Sequence, residues 1–196
     1  MEEDHKTNPQ PNQEQDRPNS LLLHSLTLRP FNLSDINGIT TWASDDRVVR
    51  VHPRGPCTTK AQALDLLNGY ILPHPWYHAI CIENRSIRSI AVKPVAPEAP
   101  GDEHGRKASI GYGLPYDYWG WGIATAAVKM AVAAVFKEWP QLERLEALVE
   151  VGNKESQRAL QMSGFLKEGS LRKYVVLGES VDVVMYSFLS SDSLVD

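Results

Sequence analysis

The chain has 196 residues with a formal net charge of −4, 42% hydrophobic and 22% charged, the proportions of one globular domain able to bury a sizeable core. Six histidines and two cysteines are scattered, without CxxC spacing or three to four convergent ligands, so composition offers neither a disulfide framework nor a metal site. The one dense basic spot is Arg172-Lys173, and no apolar run approaches the ~20 residues of a membrane helix, so neither a nucleic-acid nor a membrane partner is expected.

Residues 1–20, MEEDHKTNPQPNQEQDRPNS, are polar, acidic and proline-containing, which predicts a disordered tail. They lack the apolar stretch of a signal peptide and the acid-poor bias of a transit peptide, so a cytoplasmic protein is the default, with nuclear entry open by size. The folded domain is expected over residues 21–190, with a C-terminal tail at 191–196. Residues 25–29 (SLTLR) alternate and stop at Pro30, the pattern of a short strand. Ser34 or Asp35 then offers an N-cap for a helix through Ile36, Ile39 and Trp42 to about Ala43. Residues 45–51 connect it to a second helix, capped by Thr58 or Thr59, with Ala61, Leu64, Leu67 and Ile71 at helical spacing. That helix ends before Pro73. His74 and His78 are four apart, but Pro73 and Pro75 break any helix that would align them.

A strand over 76–83, a turn at Asn84-Arg85-Ser86 and a strand over 87–92 predict a hairpin. Residues 93–107 hold three prolines and two glycines and read as a loop. A strand follows over 108–114. A helix is expected from about Gly122 to Lys137, stopped before Pro140. Residues 142–151 suit helix or strand by periodicity, and the β-branched end ALVEV favours strand. A short helix over 154–162 ends at the Gly164 C-cap. Strands over 165–168, 170–177 and 181–189 close the chain, the last pair turning at Gly178-Glu179.

The stretch YWGWGIATAAVKMAV (118–132) carries the chemistry. Glycine at a helix entry lets an anion approach backbone N–H groups that have no intrahelical acceptor, at the positive end of the helix dipole. Glycines also simply let a strand turn tightly into a helix, and the local pattern leaves both readings open. There is no GxxxxGK[ST] and no GxGxxG. After Gly122 the helix has few polar residues, so it is expected to be buried over most of its circumference.

Taken with three other stretches in order, this segment resembles the GNAT superfamily of acetyl-CoA-dependent N-acyltransferases. The branch it is most similar to includes the Rim-type ribosomal-protein N-acetyltransferases and their plant relatives. Trp119-Gly120-Trp121-Gly122-Ile123-Ala124 stands where the family writes R/Q-x-x-G-x-G/A, with Trp119 in the Arg/Gln place. LTLRPFNLSDINGITTWASDDRVVR (26–50) looks like the branch's first strand and helix. NKESQRALQMSGF (153–165) looks like its N-x-x-S-x-r-x-L-x-x-x-G-F motif. LRKYVVLGESVDVVMYSFL (171–189), with Asp182, looks like its closing hairpin.

The resemblance implies an α+β fold: a mixed, mostly antiparallel twisted sheet of about six to seven strands in a three-layer arrangement with about four helices. It implies an N-acetyltransferase with acetyl-CoA as co-substrate and a primary amine as acceptor: a protein N-terminus, a lysine or a small amine. Backbone around Gly120, Trp121, Gly122, Ile123, Ala124 and Thr125 would bind the coenzyme A pyrophosphate, with Trp119 beside it. Gly113 and Leu114 would run along the pantetheine, and Asn153 would bond near the thioester, also serving as a helix N-cap. Many members place a proton-donating tyrosine seven residues after the motif asparagine, and here that place is Leu160. Ser156 matches a serine given a related role in the Rim-type branch. Glu150 ranks first as general base, ahead of Glu83, Asp117, Tyr116 and Tyr112 (the tyrosines acting through water). A glutamate of the closing hairpin in some Rim-type enzymes corresponds to Val175. The departures at Leu160 and Val175 keep a second reading open, a coenzyme A-binding sensor or interaction domain. Monomer and homodimer are equally compatible with the sequence.

Overall fold

The computed structural model describes residues 19–43, 57–95, 105–176 and 178–194. Most of the predicted N-terminal tail, the connection at 45–51 and residues 96–104 of the predicted loop lie outside them. In chain order the elements are α1 (Asn19–His24), β1 (Leu26–Pro30), a 3-10 turn (Leu33–Asp35), α2 (Ile36–Ala43), α3 (Lys60–Leu66) with a π-helical turn (Leu67–Ile71), β2 (Tyr77–Ile82), β3 (Arg85–Pro94), β4 (Lys107–Tyr112), a 3-10 turn (Tyr116–Tyr118), α4 (Ile123–Glu138), β5 (Arg144–Glu150), α5 (Lys154–Met162), β6 (Leu166–Val176) and β7 (Glu179–Leu189).

The seven strands form one sheet in the order β1-β2-β3-β4-β5-β7-β6. Every neighbouring pair is antiparallel except β4 with β5. Side chains alternate across this sheet and build a core on each face. On β2, Ile80 and Ile82 join the core under α4, whereas Ala79 and Cys81 join the one under α2 and α3. Helix α4 places Ile123, Ala127, Val128, Ala131, Val132 and Val135 against the sheet, all buried, and exposes little beyond Met130, Ala133, Lys137 and Glu138. The alanine-rich sequence therefore allows close helix–sheet packing. Among the described residues no helix is long and apolar enough to cross a membrane.

The parallel pair positions the site. It is in register at Lys107 with Arg144, Ala108 with Leu145 and Ser109 with Glu146, and pairs no further. Beyond that point β4 stays with β3 as far as Tyr112, and β5 stays with β7 as far as Glu150. The sheet thus parts at the C-terminal ends of its two central strands.

Several local expectations are corrected. Asn32, not Ser34 or Asp35, caps the first turn before α2: its Oδ1 accepts from Ser34 N–H at 2.9 Å, and Asp35 accepts from Asn32 N–H at 3.0 Å. Asp35 is instead drawn inside the turn, where it pairs with Arg29 at 2.7 Å. The hairpin turns on Glu83 and Asn84, both left-handed (φ 49° and 62°), so β3 already begins at Arg85. Gly169 does not divide two strands. Its neighbourhood holds a register shift that β6 absorbs as a bulge, and β6 runs unbroken from Leu166 to Val176. Strand β4 ends at Tyr112, two residues before the predicted Leu114. A fifth helix, α1, adds to the four expected.

Candidate active site

Helix α4 begins on Gly122, whose left-handed φ of 78° excludes most L side chains, and Gly120 has φ 76°. No side chain caps this terminus. The first intrahelical bond runs from Ala126 N–H to the Gly122 carbonyl at 3.0 Å, so the N–H groups of Ile123, Ala124 and Thr125 lie in the turn that lacks helical acceptors. A Cβ on Gly122 would meet only Leu23 Cδ1, at 3.9 Å, and one on Gly120 would meet nothing. Glycine is thus required by backbone conformation, not by crowding. Ser163, fully buried at the end of α5, donates to the Thr125 carbonyl at 3.3 Å and so ties α5 to this first turn.

The two tryptophans of the turn separate. Trp121 packs on the core edge, while Trp119 is 46% exposed and donates its indole N–H to the Leu114 carbonyl at 3.0 Å. That bond occupies one of the backbone groups expected along the pantetheine. Gly113 N–H is likewise taken, by the Ser89 carbonyl at 3.1 Å. Since backbone groups alternate along a strand, those of Tyr112 face away from β3, toward the parting with β5.

A cleft of about 350 Å³ occupies this parting. Of the predicted site residues it brings together Gly113, Glu150, Asn153 and Ser156, with Tyr112 of the lower-ranked base candidates. Asn153 caps α5, its Oδ1 accepting from Ser156 N–H at 3.0 Å. The Tyr112 hydroxyl donates to the Ser156 carbonyl at 3.1 Å, joining β4 to the first turn of α5. Burial pushes the Tyr112 phenol up to about 12. In this arrangement its hydroxyl is a donor to the first turn of α5. Glu150 is exposed at the end of β5. The loop after it is clamped by Gln157, whose Nε2 donates to the Glu150 and Val151 carbonyls at 3.1 and 2.9 Å. Leu160, in the tyrosine's place, is fully buried in the core.

Gln157 and Ser163 escaped the sequence reading. Both are buried polar residues, Gln157 within α5 and Ser163 at its C-cap, and neither left a spacing signal in the sequence. A larger groove, about 1040 Å³, runs along α2 and the β2–β3 turn and contains Glu83, Tyr116 and Asp117 together with the Arg29–Asp35 pair. These three base candidates line a groove that meets the cleft of Glu150 at Trp42. Among the described residues no three His, Cys, Asp or Glu side chains are grouped to hold a metal ion.

A mixed sheet that parts at its single parallel pair, beside a helix entered through two left-handed glycines, has the architecture of an N-acetyltransferase. The chain belongs to the GNAT acetyltransferase family: the Acetyltransferase (GNAT) domain family matches residues 25–166. It is 30% identical over 181 residues to the uncharacterized N-acetyltransferase p20 of Bacillus licheniformis, covering 88% of this chain and 97% of that protein. The structure of ribosomal-protein-S5-alanine acetyltransferase from Vibrio fischeri matches with a TM-score of 0.68 and 21% identity, over 85% of this chain and 94% of that one. RimJ from Mycobacterium smegmatis, solved in complex with CoA-disulfide, matches with a TM-score of 0.66 and 23% identity, over 84% and 82%. At those identities the two structures bear on the fold alone. The Rim-type neighbours are thus present. All three proteins are bacterial, and none supports the plant part of the resemblance.

Proposed function

We propose that this N-acetyltransferase moves the acetyl group of acetyl-CoA to a primary amine by direct attack within the cleft between β4 and β5. The observation that carries the reading is the parting of these strands beside the uncapped N-terminus of α4. Backbone N–H groups at Ile123, Ala124 and Thr125, at the positive end of α4, hold the pyrophosphate, and Gly120 and Gly122 supply the turn that aims them. Tyr112 and Gly113 flank the pantetheine arm, and Asn153 and Ser156 lie at its reacting end.

The attacking nitrogen must be neutral. An α-amine, with a pKa of about 7.7–8.0, supplies a sizeable neutral fraction unaided, whereas a lysine near ~10.4 needs a base. Glu150, the one carboxylate among the described residues lining the cleft, takes that proton. Ser156 donates to the departing thiolate, and since thiols have a pKa near ~8.5 a hydrogen bond is sufficient help. Tyr112 positions Ser156 and keeps its own proton. The acceptor is a protein N-terminus, a lysine or a small amine. Cys57 and Cys81 are free and buried, which suits a cytoplasmic setting.

The burial of Leu160 where many relatives place a tyrosine favours a second reading, a coenzyme A-binding sensor. Titration calorimetry with acetyl-CoA, followed by release of free thiol with a mixture of primary amines, distinguishes the two. Binding with thiol release is expected. Binding without release, across N-terminal peptides, lysine peptides and small amines, leaves the sensor.

A further inference from the structure

We propose that the acceptor is a small primary amine with a flat apolar substituent, an arylalkylamine in chemical class, selected by a wall of Trp42, Tyr70 and Tyr77. This inference rests on the acetyltransferase reading and names its substrate. The cleft continues from the β4–β5 parting past Ser89 and Ala91 of β3 to these three rings. They arrive from separate elements: the last turn of α2, the π-helical turn after α3, and the first residue of β2.

The rings are fixed before any ligand arrives. Tyr70 and Tyr77 meet edge to face, with centroids 5.9 Å apart at 77°, and Phe31 and His74 pack on Tyr77 at 5.9 and 5.2 Å. The Arg88 guanidinium lies 4.7 Å from the Trp42 ring centroid. The Tyr77 hydroxyl is 3.3 Å from Ser89 Oγ, so its polar tip already has a partner and the ring remains as an apolar surface. A preset aromatic wall binds flat apolar groups with little ordering cost.

Charge points the same way. Among the described residues lining the cleft, Glu150 is the single carboxylate, and Arg88, its guanidinium held over Trp42, the single Lys or Arg. A polyamine carries several ammonium groups, each needing an anionic or acceptor partner once desolvated. One carboxylate at the parting and three rings beyond it match one amine head and one apolar tail. The volume of about 350 Å³ is at the small end for ligand sites, and part of it lies between the strands. What remains suits a small molecule.

Titration calorimetry on the full chain saturated with coenzyme A tests this, using 2-phenylethylamine, spermidine and an alanine-initiated tripeptide. Expected is binding of 2-phenylethylamine at least ten-fold tighter than of either competitor, weakened about ten-fold by Tyr70→Ala with coenzyme A affinity unchanged. Tighter binding of spermidine or the tripeptide overturns the proposal, as does no binding of 2-phenylethylamine. The ranking on the unaltered protein decides the matter if the variant does not fold. Free-thiol release from acetyl-CoA is a separate measurement: an arylalkylamine that binds without thiol release upholds the site and overturns the transferase reading instead.

Discussion

The Tyr112 hydroxyl donates to the backbone carbonyl of Ser156 at 3.1 Å, bridging 44 residues of chain between β4 and α5. It links one edge of the parting in the sheet to the helix turn that presents Ser156. Tyr112→Phe removes this bond and leaves the Ser156 carbonyl only its partner within the helix, at a cost of about 1 kcal/mol. Expected is a fall of roughly five-fold or more in kcat/KM, following from an energy of that size. Because burial holds the phenol at about 12, the wild-type pH–rate profile should show no limb from Tyr112 between pH 6 and 10, and Tyr112→Phe should leave the shape unchanged. A limb that disappears in the variant would show that Tyr112 titrates during turnover.

Gly122 was expected to be glycine so that phosphate can approach. The backbone adds a second reason, since φ 78° strains any L residue whatever the ligand. Gly122→Ala should therefore destabilise the apoprotein by about 1 kcal/mol, lowering Tm by a few degrees in a chain of this size. Gly122→Glu should do the same and also abolish acetyl-CoA binding, by bringing a carboxylate to an anion seat. Calorimetry decides: equal affinity for acetyl-CoA in wild type and Gly122→Glu would remove the pyrophosphate assignment.

What could be read in the sequence followed from local periodicity. Alternation in residues 25–29 pointed to a strand and the apolar run of α4 to a buried helix, and the ordered motifs of the resemblance supplied the mixed, mostly antiparallel sheet. Competition between local partners was harder to see. Asn32 and Asp35 are both good capping residues, and the choice fell to Asn32 because Asp35 was drawn to Arg29. Gly169 reads as a strand break and is a bulge, because β7 offers a continuous partner. Least visible were contacts between distant segments. Arg88 stacks on Trp42 across 46 residues, and Ser163 reaches Thr125 across 38. No spacing rule connects such pairs until the sheet order is known.

The Arg88–Trp42 stack gives a test of the aromatic wall that replaces none of its three residues. A Cβ built on Gly113 would stand 2.7 Å from Arg88 Nε and 3.0 Å from its Nη2. Arg88 is 8% exposed and packed on the indole, so it has little room to yield. Gly113→Ala should cost about 1–3 kcal/mol through overpacking and tilt Trp42. The outcome expected is lowered Tm and acceptor binding weakened by a larger factor than coenzyme A binding. Loss of coenzyme A binding with the acceptor unaffected would place Gly113 on the cofactor alone.

The acid limb of stability has an identifiable source at the edge of the sheet. Glu168 on β6 accepts both Arg144 Nη groups, at 2.7 and 2.6 Å, and the Ser187 hydroxyl at 2.6 Å. The bonds from Arg144 and then Ser187 draw its carboxyl from 4.5 down to about 2. A carboxylate depressed in the folded state contributes stability above its unfolded pKa and loses it as pH falls through the folded one. The window is therefore pH 4.5 to about 2. Asp35 adds to the same limb: burial works to raise its carboxyl, but the bonds from Arg29 and Asn32 N–H hold it below the ordinary value. Glu168 is 42% exposed, so solvent screening limits its share to roughly 1 kcal/mol. Glu168→Gln should lower Tm at pH 7 by a few degrees and have a much smaller effect at pH 2, where the wild-type carboxyl is half protonated. Thermal melts of both proteins across this range check the assignment, and a difference in Tm that stays constant from pH 7 to 2 would exclude Glu168 as a source of the acid limb.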